Sequence, residues 1–138
     1  MARTRVRIFA RAAACLLAAA AGVAGCSKSQ VGLVDGVVKL DGKPLSEATV
    51  MFQPDNGRTS VGETDASGHF SLRFNRDEPG AVIGRHTVSV ETYRIRVDDQ
   101  GNPVETKETV PAKFNRESEL VREVVAGKQT LNFDLESR

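Results

Sequence analysis

His69-Phe70-Ser71-Leu72-Arg73-Phe74 alternates polar and apolar residues without a break. Side chains of a strand point to opposite faces at a period of two, so Phe70, Leu72 and Phe74 share a dry face while His69, Ser71 and Arg73 face solvent. Leu131, Phe133 and Leu135 repeat the pattern against Asn132, Asp134 and Glu136. Upstream, Val34–Leu40 and Thr49–Gln53 read as strands, the second with Val50 and Phe52 on one face. Thr59–Thr64 follows as another strand.

Turn chemistry punctuates these runs. Asp41-Gly42-Lys43-Pro44 places a glycine where positive φ is needed, and Pro54-Asp55-Asn56-Gly57 carries an Asn-Gly hairpin signal. In Asp65-Ala66-Ser67-Gly68 the aspartate can close an Asx-turn. The loop 75–85 holds Pro79, Gly80 and Gly84, and a long strand starts near His86. Val88 and Val90 share one parity there, whereas Tyr93, Ile95 and Val97 share the other, which predicts a bulge or strand end near Glu91-Thr92. The stretch 98–109 is polar and reads as a long loop. Leu120–Val125, with Arg122 and Glu123 at its centre, reads as an edge strand.

No segment beyond residue 25 has the pattern of an amphipathic helix. The expectation is an all-β fold: one two-layer, mostly antiparallel β-sandwich of about seven strands, over residues 34–138.

The first 25 residues differ in kind. Arg3, Arg5, Arg7 and Arg11 precede an Ala/Leu-rich run from Ala12 to Ala24. That is the order of a secretory signal, and the apolar run falls short of the ~20 residues a spanning helix needs. Val23-Ala24-Gly25-Cys26 resembles the lipobox of bacterial lipoproteins. The resemblance implies a signal peptide at 1–25, a lipid (palmitate) anchor on Cys26, and a tether at 26–33. Ser27 stands where an Asp would mark inner-membrane retention, so the resemblance implies the outer membrane, facing the periplasm.

Losing the four signal arginines turns a chain of 19 basic and 18 acidic residues net acidic. No basic stripe survives to hold phosphates, so nucleic acid is not an expected partner. Cys15 would leave with the signal and Cys26 would be lipidated, so the domain has no free thiol for a disulfide, a metal site or a nucleophile.

Gly36-Val37-Val38-Lys39-Leu40-Asp41-Gly42-Lys43-Pro44-Leu45, continuing to Phe52, resembles the start of a carboxypeptidase regulatory-like domain. Thr64–Leu72 resembles its second hallmark, and Gly80–Val90 its third. The resemblance implies a transthyretin-like, Ig-like sandwich and no chemistry, because fold analogy alone assigns no function.

Candidate chemistry is sparse. His69 reads as a solvent-face residue and His86 as a surface residue at a strand start, and no zinc-ligand spacing accompanies them. Asp98-Asp99-Gln100-Gly101-Asn102 has its glycine too early for an EF-hand loop. The chain has no Gly-x-Ser-x-Gly elbow. Its end, Leu135-Glu136-Ser137-Arg138, lacks the Tyr-Arg-Gly-Ser tail of 5-hydroxyisourate hydrolases, an enzyme family of the same fold class.

The expected function is therefore a non-catalytic, lipid-anchored envelope protein without cofactor or metal, its sandwich a structural or protein-interaction module. The alternative is a carbohydrate or cell-surface polymer binder using Tyr93, Asp98, Asp99 and Asn102. Specificity is expected in the loop 98–109, since binding residues concentrate on loops held by a rigid scaffold.

Overall fold

A computed structural model describes residues 30–138. The signal segment 1–25, the lipidation site Cys26 and the tether through Ser29 lie outside the described residues. Among the described residues, no helix is long and apolar enough to cross a membrane.

The chain folds as an all-β sandwich. Strand β1 (Val31–Leu40) is the axis of the first sheet. Lys39 of β1 pairs antiparallel with β2 (Lys43–Pro44) and parallel with β12 (Phe133–Leu135). Asp35 likewise pairs antiparallel with β5 (His69–Ser71) and parallel with β11 (Lys128–Thr130). These partners therefore occupy opposite edges of β1, and β6 (Ala81–Val82) pairs with its first residues. The second sheet is antiparallel throughout, ordered β10 (Leu120–Val124), β7 (Gly84–Glu91), β3 (Thr49–Pro54), β4 (Ser60–Glu63). Reciprocal bonds between Val61 and Arg73, at 3.0 and 2.9 Å, join the sheets at one corner.

Turn residues act as their chemistry dictates. Asp41 and Gly42 both take positive φ, 51° and 79°, closing the tight β1–β2 hairpin. The Asp65 carboxylate accepts from the Ser67 N–H, the Ser67 hydroxyl and the His69 N–H, at 2.9, 2.6 and 3.0 Å.

The core lies between the two sheets, built from the inward parity of each strand. Val34 and Val38 meet Val50, Phe52, Val88 and Val90, with Phe70, Leu72, Phe133 and Leu135 closing the layer. Phe133 is its centre, 6.1 Å edge-on to Phe52 and 6.1 Å from Phe70 between ring centroids. Arg122 lies over the Phe133 ring at 5.0 Å, covering the open edge with its guanidinium.

Four expectations are corrected. Among the described residues the strand count rises from about seven to 12 segments, because one long β1 is met by five short partners. The first strand starts at Val31, not Val34. Gly32 lets the chain pass so close to Val125 that a Cβ there would sit 2.1 Å from the Val125 carbonyl oxygen. His86 is a core residue at 0% exposure, its Nε2 2.6 Å from the Val82 carbonyl oxygen and its ring 5.7 Å from Phe52. Finally, 98–109 is not a plain loop. Strands β8 (Arg94–Val97) and β9 (Pro103–Thr106) form a separate antiparallel hairpin with its turn at 98–102.

Registers fix the two poles. Val31 pairs with Val82, just before β7 starts at Gly84, which is paired with Val124. The other end of β7, Glu91, pairs with Thr49, near the β1 end where the Leu45 N–H donates to the Val38 carbonyl. The β8–β9 hairpin follows Glu91. It therefore leaves the sandwich at the pole opposite the point where the chain enters β1.

Candidate functional site: a groove beside Tyr93

The odd-numbered residues of β3 and β7 face away from the core. Met51 and Ser89 are direct cross-strand partners, and Glu91 follows two residues on. The segment after the hairpin returns over this face as a 3-10 turn, Ala112–Phe114. The Ser118 hydroxyl holds it down by donating to the Val88 carbonyl, while the Asn115 side-chain amide braces the segment internally by donating to the Val110 carbonyl at 3.0 Å. Between floor and return segment lies a groove of about 540 Å³ lined by Met51, Ser89, Glu91, Tyr93, Glu108 and Arg116, with Val110, Ala112 and Asn115 completing it. That is within the usual size range of small-ligand pockets.

One end of the groove is a polar knot. The Glu108 carboxylate accepts from the Thr92 N–H (3.1 Å), the Thr92 hydroxyl (2.8 Å), the Tyr93 N–H (3.3 Å) and the Val110 N–H (2.8 Å). The Thr92 hydroxyl also accepts from the Thr109 N–H at 2.8 Å. Burial pushes the Glu108 carboxyl up, but the hydrogen bonds from Val110, Thr92 and Tyr93 outweigh it and hold it below the ordinary glutamate value. This knot ends β7 and redirects the chain into β8, the physical cause of the phase change read in the sequence.

Tyr93 stands at the knot, 46% exposed, and lines the groove. The other candidate binding residues are elsewhere. Asp98 accepts from the Gln100 N–H (2.9 Å), the Asn102 N–H (2.8 Å) and the Asn102 side-chain amide (3.2 Å). Those bonds, led by the ones from Asn102, lower the Asp98 carboxyl from its ordinary value. Asp98 and Asn102 thus close the hairpin turn, and Asp99 is exposed beside them. Four residues of β8 separate this tip from Tyr93, about 13 Å of strand. Tyr93 is not brought together with Asp98, Asp99 or Asn102.

The residues that do join Tyr93 are Glu91, Glu108 and Arg116; Glu108 belongs to the loop expected to carry specificity, whereas Glu91 and Arg116 do not stand out in the sequence as site residues. Glu91 shares the outward parity of Ser89, which is a usable signal. Arg116 offers none. Of the two histidines, His69 is exposed, as expected, and His86 is in the core. Among the described residues, no group of three or more His, Cys, Asp or Glu side chains converges as a metal site.

The hairpin has two unlike faces. Arg94 and Arg96 turn toward the sandwich, where Arg94 meets Glu63 at 3.6 Å and Arg96 meets Glu47 at 3.0 Å. The opposite parity carries Ile95 and Val97, at 59% and 69% exposure.

No family model matches the chain, and no curated protein does. Among solved structures, the crystal structure of a 9R-lipoxygenase from Cyanothece PCC8801 is similar at 17% identity and a TM-score of 0.44. The match covers 78% of this chain and 16% of that enzyme's chain.

Proposed function

We propose that this is a non-catalytic, lipid-anchored protein of the cell envelope whose β-sandwich acts as a structural or protein-interaction module. The observation that carries the reading is polar placement. Strand β1 starts at Val31, directly after Ser27–Gln30, and the hairpin with exposed Ile95 and Val97 leaves from the opposite pole. Four extended residues reach at most about 14 Å. A lipid on Cys26 would hold the domain close to the membrane surface and point the hairpin away from it. The lipobox resemblance supplies the anchor, and Ser27 favours the outer membrane, facing the periplasm. The turns at Asp41-Gly42 and Asp65–Gly68 are where the carboxypeptidase regulatory-like resemblance has its hallmarks, and each has a folding role.

A palmitate analogue should label the wild-type chain, and Cys26→Ser should abolish both label and processing. An unlabelled wild type removes the anchor. Pull-downs from native membranes, with the wild type and with a chain lacking the hairpin tip, should recover a partner only with the wild type. Exposed Tyr93 keeps a second reading, a carbohydrate or cell-surface polymer binder, and saturable glycan-array binding would select it.

A further inference from the structure

We infer that the cleft between the β3–β4 loop and the turn after β5 binds a phosphate group, held by the guanidinium groups of Arg58, Arg73 and Arg76. Local structure gathers the three. Reciprocal backbone bonds pair Arg73 with Val61, so both side chains leave that corner on one face. The Asn75 side-chain oxygen accepts from the Asp77 and Glu78 N–H groups, each at 2.9 Å, and closes a tight turn with Arg76 inside it. The Arg76 carbonyl accepts from Arg73 Nη1 at 3.3 Å, which draws that guanidinium toward the turn. Arg58 arrives from the β3–β4 loop, and the three arginines line one cleft of about 300 Å³ together with Val61 and Phe74.

No acidic residue lines this cleft, in a stretch of chain that is otherwise net acidic. Two neighbouring carboxylates are engaged elsewhere: Asp55 meets Arg85 at 3.7 Å, and Glu78 accepts from the Asn75 amide at 3.4 Å. Among the described residues none of the three guanidinium groups has a carboxylate partner, and those of Arg58 and Arg76 make no hydrogen bond. Three like charges around one cleft repel one another, and a bound anion turns that repulsion into attraction. A phosphate suits them because its oxygens match the planar guanidinium fork and accept from several at once. Val61, 40% exposed, and half-buried Phe74 add an apolar wall that a phosphate carried on a hydrocarbon chain would cover. Location points the same way. A Cβ on Gly57 would lie 3.8 Å from Val82, the partner of Val31. Arg73 is bridged to Pro79, and a Cβ on the next residue, Gly80, would lie 2.4 Å from the Gly32 carbonyl oxygen. Both loops therefore flank the first residues of β1, the pole that a lipid on Cys26 would hold against the membrane. A lipid headgroup as the source of the phosphate rests on that anchored reading; the site itself does not.

Heteronuclear NMR of the full-length chain in nonionic detergent can follow each arginine Nε–H group. Inorganic phosphate and dihexanoylphosphatidylglycerol are titrated separately at constant ionic strength. Both should shift Arg58, Arg73 and Arg76 saturably and leave Arg94 and Arg96, on the hairpin, in place. Arg58→Gln and Arg76→Gln should each weaken binding about tenfold. Phosphatidylglycerol binding about tenfold tighter than inorganic phosphate makes a headgroup the source, and equal affinities make it free phosphate. A chain that takes no palmitate label yet binds phosphate keeps the site and loses only the headgroup. No saturable shift with either probe overturns the proposal. So does equal movement of Arg94 and Arg96, or unchanged affinity in both variants.

Discussion

The Asn132 side-chain oxygen accepts a hydrogen bond from the Val37 N–H at 3.0 Å, where the parallel ladder of β1 is interrupted. β1 pairs with β11 through Asp35 and resumes with β12 at Val38, while the Leu131 N–H donates to the Asp35 carbonyl at 2.8 Å. The amide side chain thus fills the gap left in the ladder and sets the register in which Phe133 enters the core.

Phe133→Ala should destabilise by about 3–5 kcal/mol, the cost of emptying a buried aromatic site. Asn132→Ala removes only the acceptor for a solvent-accessible N–H and should cost about 1 kcal/mol. Urea melts of the two variants check this, and comparable losses would mean that Phe133 does not centre the core.

Gly36 is the tightest point of the first sheet, where β1 pairs with Phe70. A Cβ there would lie 1.9 Å from the Leu131 carbonyl oxygen and 3.0 Å from the Phe70 ring. Backbone cannot yield as a flexible side chain can, so Gly36→Ala should cost more than about 3 kcal/mol or prevent folding. Gly42 has positive φ and open space where a Cβ would project, so Gly42→Ala should cost about 1 kcal/mol. Thermal melts that rank the two in the reverse order would refute the close approach.

The hairpin divides into a tip that can be trimmed and a base that cannot. Replacing Asp99–Asn102 by a short Gly/Ser turn should leave the melting temperature within a few degrees, because surface loop length contributes little to stability. Glu108→Ala should instead cost about 1–3 kcal/mol, since Thr92, Tyr93 and Val110 donors lose a shared acceptor. Replacing the whole stretch through Glu108 would incur that loss as well. Equal melting temperatures for wild type and Glu108→Ala would show that the knot is dispensable.

Alternation at Phe70-Leu72 and Phe133-Leu135 makes the sheets and their dry faces legible in the sequence, because both strands press one face on a core. The phase change after Val90 locates the strand end. Its cause, Thr92 bonded to Glu108 16 residues away, is a polar contact that no hydrophobic period records. Strand β9 is unreadable for a related reason. It starts at Pro103, all four of its residues are exposed, and without a buried face it has no alternation to show. His86 shares the parity of Val88 and Val90, which is the signal for its place in the core. The glycine two residues before it suggests a loop boundary instead. The groove draws on Arg116, which follows the segment that the Ser118–Val88 bond ties to β7, and such long-range placement leaves no local pattern.

Acid should weaken this fold through its turns. Hydrogen bonds from Ser137 lower the Asp41 carboxyl, and bonds from Ser67 and His69 lower the Asp65 carboxyl, both from an ordinary 3.8. Asp98 and Glu108 are lowered by their own donors, Glu108 from 4.5. A carboxylate whose folded pKa is depressed contributes stability that is fully present above its unfolded value and lost as pH falls through the folded one. The urea midpoint should therefore be flat near neutrality and fall below about pH 4, by a modest amount because these groups are solvent-exposed and screened. Asp65→Asn separates the charge from the turn. The amide oxygen can still accept from the Ser67 and His69 N–H groups, but it does not titrate. The variant should fold, lose a little stability at neutral pH and show a shallower acid slope than wild type. An acid slope identical to wild type would mean that the Asp65 turn draws nothing from its charge.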